Sequence, residues 1–204
     1  MNAGARAGAP LIVGIGGTIR ERSSSEMALR HALAVARRRG AETMLIAGPS
    51  LVFPMYSPES AARGAELRGF IDALRRSDGI IVSSPGYHGS ISGLLKNAID
   101  YVEDLRGDAR PYFEGRPVGC IACAAGHQGA GTTLSALRDI VHALRGMPTP
   151  MGVTINTATR VFDEDGVCLD AGAARQLEVM AAQVVDFTGL LASAGQRAGA
   201  AAFA

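Results

Sequence analysis

Apolar residues gather in short runs along this chain, and after each run apolar and polar positions alternate at helical spacing. The runs are Leu11 to Ile15, Thr43 to Ile46, Gly79 to Ser83, Val118 to Ala124 and Gly152 to Ile155. They are short and mostly rich in β-branched residues, as strands covered on both faces should be. Helices are predicted over Ser25 to Arg39, Glu59 to Arg76, Ile91 to Leu105, Thr132 to Leu144 and Ala173 to Ala194. The third has the clearest pattern: Ile91, Leu94, Leu95, Ala98, Ile99 and Val102 recur on one face, while Lys96, Asn97, Asp100, Glu103 and Asp104 fill the other. Five strand-then-helix units in succession predict an α/β fold, a doubly wound parallel sheet with helices on both faces.

Composition narrows the setting. Of 204 residues, 48% are hydrophobic and 19% charged, which suits a globular chain able to bury a core. The formal net charge of +1 offers no broad basic surface, so nucleic acid is not the expected partner. No charged leader followed by a long apolar run is read, so no membrane association is expected and the location is read as cytoplasmic. Three cysteines do not suggest a disulfide framework. Cys120 and Cys123 form a C-x-x-C, but three residues apart on a strand they point to opposite faces, which argues against redox or metal chemistry.

In such a sheet, ligands sit beyond the carboxyl ends of the strands, where the strand order reverses. The unusual compositions fall in those loops: GGTIRERSSS after the first strand, SSPGYHGSISG after the third and AAGHQGAG after the fourth. A five-stranded order 2-1-3-4-5 would crowd all three into one crevice, the arrangement in which a flavin mononucleotide can bind. The first loop reads as an anion cradle. A helix N-terminus offers unpaired N–H groups, Thr18, Ser23, Ser24 and Ser25 add hydroxyls, and Arg20 supplies a charge-assisted donor. Gly16 and Gly17 allow close backbone approach.

Spacing excludes several alternatives. Ile19 stands where a dinucleotide fingerprint needs its third glycine, and no G-K-[ST] follows for a Walker loop. Ile91 occupies the centre of Gly89-Ser90-Ile91-Ser92-Gly93, so this is no esterase elbow. A mononucleotide with one terminal phosphate remains. For its flat ring, Pro85 and Gly86 are expected to turn the chain, Gly86 and Gly89 to allow close approach, and Tyr87 to lie against the ring beside His88. Ser90 or Ser92 would cap the next helix. Gly126, His127, Gln128 and Gly129 form the third loop, placed to close over the same ring. His31 and His142 fall within helices and read as structural.

The combination of GGTIRERSSS, SPGYHGSISGLLKNAIDYVEDL and GRPVGCIACAAGHQGAGTTLSALRDIV resembles the NADPH-dependent FMN reductase family of flavodoxin-like proteins, over about residues 11 to 155. The family pattern G-S-x-R-x-x-S maps Thr18, Arg20, Ser23 and Ser25 onto phosphate ligands, with Ser24 between them. The pattern S-P-x-Y-x-G-S-x-P-x-x-L-K-N-x-x-D maps Pro85, Tyr87, Gly89 and Ser90 onto the isoalloxazine loop, with Lys96, Asn97 and Asp100 marking its helix. Three departures stand out: Thr18 for a common serine, Gly86 for a frequent glutamate and Ser92 for a frequent proline.

The resemblance implies a flavodoxin-like, FMN-binding domain over residues 10–194, between a flexible tip (1–9) and a flexible tail (195–204). It also implies hydride transfer from the C4 of NADPH or NADH to flavin N5, with the flavin carrying the chemistry and no side chain assigned as acid or base. A homodimer or homotetramer follows, with the helix from Leu94 to Leu105 as a contact, and so does a flavin-dependent monooxygenase receiving reduced FMN. Two alternatives stay open: a reductase that keeps FMN and reduces a quinone, azo dye or metal oxyanion, and a non-enzymatic flavodoxin-like electron carrier. The near-neutral charge speaks against the carrier.

Overall fold

A computed structural model of the protein describes residues 8–201, with side chains through residue 194. Its sheet is built from β1 (Leu11–Gly16), β2 (Glu42–Ala47), β3 (Gly79–Tyr87), β4 (Ser90–Ile91), β5 (Pro117–Ala124), β6 (Met147–Pro148) and β7 (Val153–Asn156). The order is β2-β1-β3-β5-β6, with β7 also on β5 and β4 on β3. The five predicted strands thus lie in the predicted order, since β7 runs parallel to β5 from Ile121 to Ala124. Two short strands are additional. β6 pairs with the start of β5, and β4 folds back antiparallel onto the end of β3.

The helices are α1 (Ser24–Arg38), α2 (Ala65–Arg76), α3 (Gly93–Asp100), α4 (His127–Ala143) and α5 (Ala171–Ala201). Strand residues alternate between two cores, as a pleat with period two requires. Val13, Ile15, Ile80, Val82, Val118 and Cys120 pack on one side with residues of α2, α3 and α4. Ile12, Ile81, Ile121 and Cys123 pack on the other with α1 and α5. Cys120 and Cys123 therefore face opposite cores, and burial pushes both thiols up to about 12, far from the thiolate that redox or metal chemistry needs.

Several boundaries differ from the sequence reading. β2 is half-exposed along most of its length, because an edge strand has one neighbour and is not covered on both faces. α2 starts at Ala65, not Glu59; Gly64 occupies its N-cap position with no side-chain cap bond. α3 tightens at Tyr101–Leu105 into a 3₁₀ turn, and Leu95, Ala98, Ile99 and Val102 are buried in the subunit's own core.

α5 continues past Ala194 to Ala201, into the segment expected to be a tail. Residues 1–7 and 202–204, the rest of the predicted tip and tail, lie outside the described residues. By length and composition Ala171–Ala194 could cross a membrane, with mean hydropathy 1.3, a feature the sequence reading missed. Leu177, Met180, Ala181 and Val184 of this helix lie fully inside the second core. Gly119 of β5 makes room there for Met180, whose Sδ occupies the space a Cβ would take.

Candidate functional site

The loop after β1 begins at a glycine that the sheet itself demands. Gly16 has φ 145°, and a Cβ there would drive into the carbonyl oxygen of Ser83 on β3. Gly17 (φ 87°) then donates its N–H to that same oxygen at 3.1 Å. The glycine pair thus serves close approach of two strands before any ligand is considered, a tighter demand than the sequence reading assigned.

Ser23 caps α1: its Oγ accepts from Glu26 N at 3.3 Å, and its carbonyl accepts from Met27 N at 2.8 Å. Ser25 Oγ lies 3.3 Å from Ser23 Oγ, and Ser83 Oγ donates to Ser25 O at 2.8 Å, tying the helix start to β3. Both hydroxyls are buried, at 2% and 1% exposure. Thr18 Oγ1 closes a small turn by donating to Arg20 O and accepting from Arg20 N. Ser24 is half-buried and Arg20 exposed. By position, the first-turn amides of α1 have no intrahelical acceptor, and the positive end of the helix dipole lies in the same place.

The second loop differs from its expected shape. Pro85 and Gly86 do not turn the chain; they are the last part of β3, and Pro85 is in register with Cys123 of β5. The reason lies in the ladder. Ser83 aims its carbonyl at Gly17, so by alternation Pro85 aims its nitrogen toward the same side, beyond the end of β1, where a missing N–H breaks no bond. The turn falls at His88-Gly89, with φ of 52° and 87°, a two-residue hairpin in which Tyr87 pairs with Ser90. Tyr87 projects with 54% exposure at the tip. Ser90 lies in β4, so Ser92 is the cap of α3, accepting from Leu95 N at 3.2 Å.

Gly86 is explained by packing. A Cβ there would lie 2.6 Å from Thr133 Oγ1 of α4 and 3.0 Å from Ala124 Cβ. Thr133 is anchored by its bond to Gly129 O at 2.7 Å, so a glutamate would require α4 to shift.

The third loop is shorter than predicted because α4 starts at His127, capped by Gly126 at φ 137°. His127 and Gln128 are therefore exposed first-turn residues, with His127 Nε2 3.4 Å from Asn156 Nδ2 at the end of β7. All three loops leave the carboxyl edge of adjacent strands β1, β3 and β5. Lys96 and Asp100 form an exposed ion pair at 2.6 Å. Asn97, predicted on a polar face, is instead a latch: it accepts from Tyr56 N and donates to the carbonyls of Phe53 and Pro54.

The model for the NADPH-dependent FMN reductase family matches residues 10–160. The chain belongs to that family. It is 31% identical over 163 residues to an NAD(P)H-dependent FMN reductase of Pseudomonas aeruginosa, covering 78% of this chain and 84% of the relative. It is also 37% identical over 90 residues to an FMN-dependent NADPH-azoreductase of Staphylococcus aureus, covering 44% of each. Among solved structures, the flavoenzyme NAD(P)H:(acceptor) oxidoreductase FerB of Paracoccus denitrificans superposes with a TM-score of 0.74 at 21% identity, over 89% of this chain and 98% of that one. That likeness carries the flavodoxin-like fold.

The residues present suit this family's flavin. Arg20 makes no ion pair among the described residues, the α1 amides face a helix N-terminus without intrahelical acceptors, and no carboxylate stands at position 86. What sequence reasoning missed is the loop after β7. Thr157 donates its N–H to Ala124 O, and residues Thr157 to Phe162 share a cavity of about 520 Å³ with Arg20 and Ser24. The only forewarning was Arg160 among small polar residues.

Proposed function

We propose that the stretch carrying Thr18, Arg20, Ser23, Ser24 and Ser25 holds the terminal phosphate of FMN, through Arg20, the Ser24 hydroxyl and the Ser24 and Ser25 amides, with the bonded hydroxyls of Thr18, Ser23 and Ser25 shaping the loop, and that Pro85 to Ser90 with Gly126, His127 and Gln128 frame its ring. When bound, the flavin would supply the redox chemistry, accepting hydride at N5 from the nicotinamide C4 of NADPH or NADH. The chain's own residues bind and orient. Arg20 and the α1 amides neutralise the phosphate, the rigid Gly16–Ser83 contact fixes its distance from β3, and Tyr87 covers one side of the ring while leaving room for the donor. No side chain is assigned a proton-transfer role.

The observation that carries this reading is the tie from Ser83 to both Gly17 and Ser25, which docks the anion-binding helix start against the strand that bears the hairpin. The test is a visible spectrum of the purified protein with FMN under anaerobic conditions, followed by NADPH or NADH. Rapid bleaching of the flavin band supports the reductase; a protein that acquires no flavin band refutes the reading.

The azoreductase relative supports a second reading, in which FMN stays bound and an azo dye, quinone or metal oxyanion is reduced. Turnover with free FMN beside such acceptors separates the two. We further infer one FMN-binding unit over residues 10–194, a cytoplasmic location, and a homodimer or homotetramer. The stripe of α3 being buried, the exposed Val52 and Met55 on the adjoining loop offer the subunit contact. A flavin-dependent monooxygenase is the proposed recipient where reduced FMN leaves the site.

A further inference from the structure

Two cavities flank the start of α1, and their charge differs. The larger, about 570 Å³, is lined by Arg22 and Arg30 but also by Glu21, Glu26 and Asp165, and Arg30 is already paired with Glu26 at 2.7 Å. In the second, of about 520 Å³, Arg20, Arg22 and Arg160 gather with the hydroxyl-bearing Ser24, Thr157 and Thr159, and Glu21 is its sole carboxylate. Three guanidinium groups against one lining carboxylate leave a formal excess of two positive charges, or of one with Glu164 beside Arg160 counted in.

Neither Arg20 nor Arg22 forms an ion pair among the described residues. Arg160 meets Glu164 at 3.5 Å, but both side chains are largely exposed, at 60% and 91%, so water screens that pair. Its Nε donates to Phe162 O at 3.0 Å, which fixes the guanidinium at the cavity wall. Like charges collected around an empty volume repel one another and are stabilised by an anion that enters it.

We propose that this cavity is a second anion subsite, one that receives the 2′-phosphate on the adenosine ribose of the nicotinamide donor, so that Arg22 and Arg160 select NADPH over NADH. The proposal rests on the reading of Thr18 to Ser25 as the flavin phosphate cradle. Arg20 and Ser24 then form the wall between the two subsites. A donor whose nicotinamide met the ring near Tyr87 and whose chain ran back toward α1 would bring its adenosine end into the space bounded by Arg22 and Arg160. The volume lies within the range of roughly 300–1,000 Å³ typical of small-ligand sites. A phosphate monoester with close to two negative charges takes charge-assisted bonds from guanidinium forks and threonine hydroxyls, whereas the neutral 2′-hydroxyl of NADH gains little from them.

The test is calorimetric titration of 2′,5′-ADP and of 5′-ADP into the full-length protein, with FMN titrated separately, for the wild type, Arg160→Gln and Arg22→Gln. The wild type should bind 2′,5′-ADP roughly tenfold or more tightly than 5′-ADP, the scale of a charge-assisted hydrogen bond. Arg160→Gln should shrink that preference while FMN affinity and thermal midpoint stay unchanged, and Arg160→Lys should restore part of it. The kcat/KM ratio of NADPH to NADH should fall in parallel. Equal affinity for the two nucleotides in the wild type, or a preference that survives both glutamine variants, overturns the proposal. Loss of FMN binding with the preference intact would instead overturn the flavin reading and leave the subsite standing.

Discussion

The α1 phosphate loop and the β3–β4 hairpin stand side by side at one sheet edge but are built on opposite plans. The loop's hydroxyls are bonded in advance: Ser23 and Ser25 share a hydroxyl contact, Thr18 bonds the backbone N–H and carbonyl of Arg20, and Ser83 secures the helix start. The hairpin leaves its chemistry outside, with Tyr87 more than half exposed above a turn held by two backbone pairs. A charged ligand is held best by dipoles fixed in advance, so rigidity belongs in the loop. A flat ring needs an open face where a second ring can arrive, so exposure belongs in the hairpin.

Substitutions on each side should separate these plans. The largest effect is expected at Gly16→Ala, since the added methyl meets backbone, not a flexible side chain, at a positive φ. Stability should fall by about 3 kcal/mol or more in chemical denaturation, with FMN binding lost as well. Arg20→Ala comes next. Its side chain is exposed, so stability should hold while FMN affinity drops by roughly 1.5 to 3 kcal/mol by fluorescence titration. Unchanged affinity would remove Arg20 from the cradle.

Tyr87→Ala should leave the unfolding midpoint unchanged and weaken FMN binding by about 1 kcal/mol. A large loss of stability there would show that the hairpin is as rigid as the loop, and would erase the contrast. The smallest effect concerns neither region and serves as a control. His31 on α1 has a buried Nε2 without a partner, and burial, aided by Arg38 and opposed by Glu178, holds its pKa below 6.5. The unfolded chain therefore takes up the proton first, so stability present above about pH 6.5 is lost as pH falls below it. A melting series between about pH 5 and 8 should show that slope, flattened in His31→Leu, with FMN affinity unaffected.

Strand order and the opposed faces of Cys120 and Cys123 were legible because β-branched runs and period-two alternation are local signals. The two-residue strands β4 and β6 were not, since each exists only through a partner distant from any apolar run. The turn was misplaced by three residues for a similar reason. Pro85 and Gly86 look like a turn in isolation, and only the early end of β1 leaves room for a proline within β3. Composition showed that GGTIRERSSS was unusual but not which groups already bond one another, so Ser23 and Ser25 seemed free and are in fact buried partners. Arg160 escaped notice because nothing local links it to Arg20, more than a hundred residues earlier.

The most direct measurement is a crystal structure of the protein grown with FMN. The phosphate should lie within hydrogen-bond reach of the Ser24 and Ser25 amides and of Arg20, with the ring beside Tyr87. A phosphate seated elsewhere along the chain, or a ring remote from the hairpin, would contradict it.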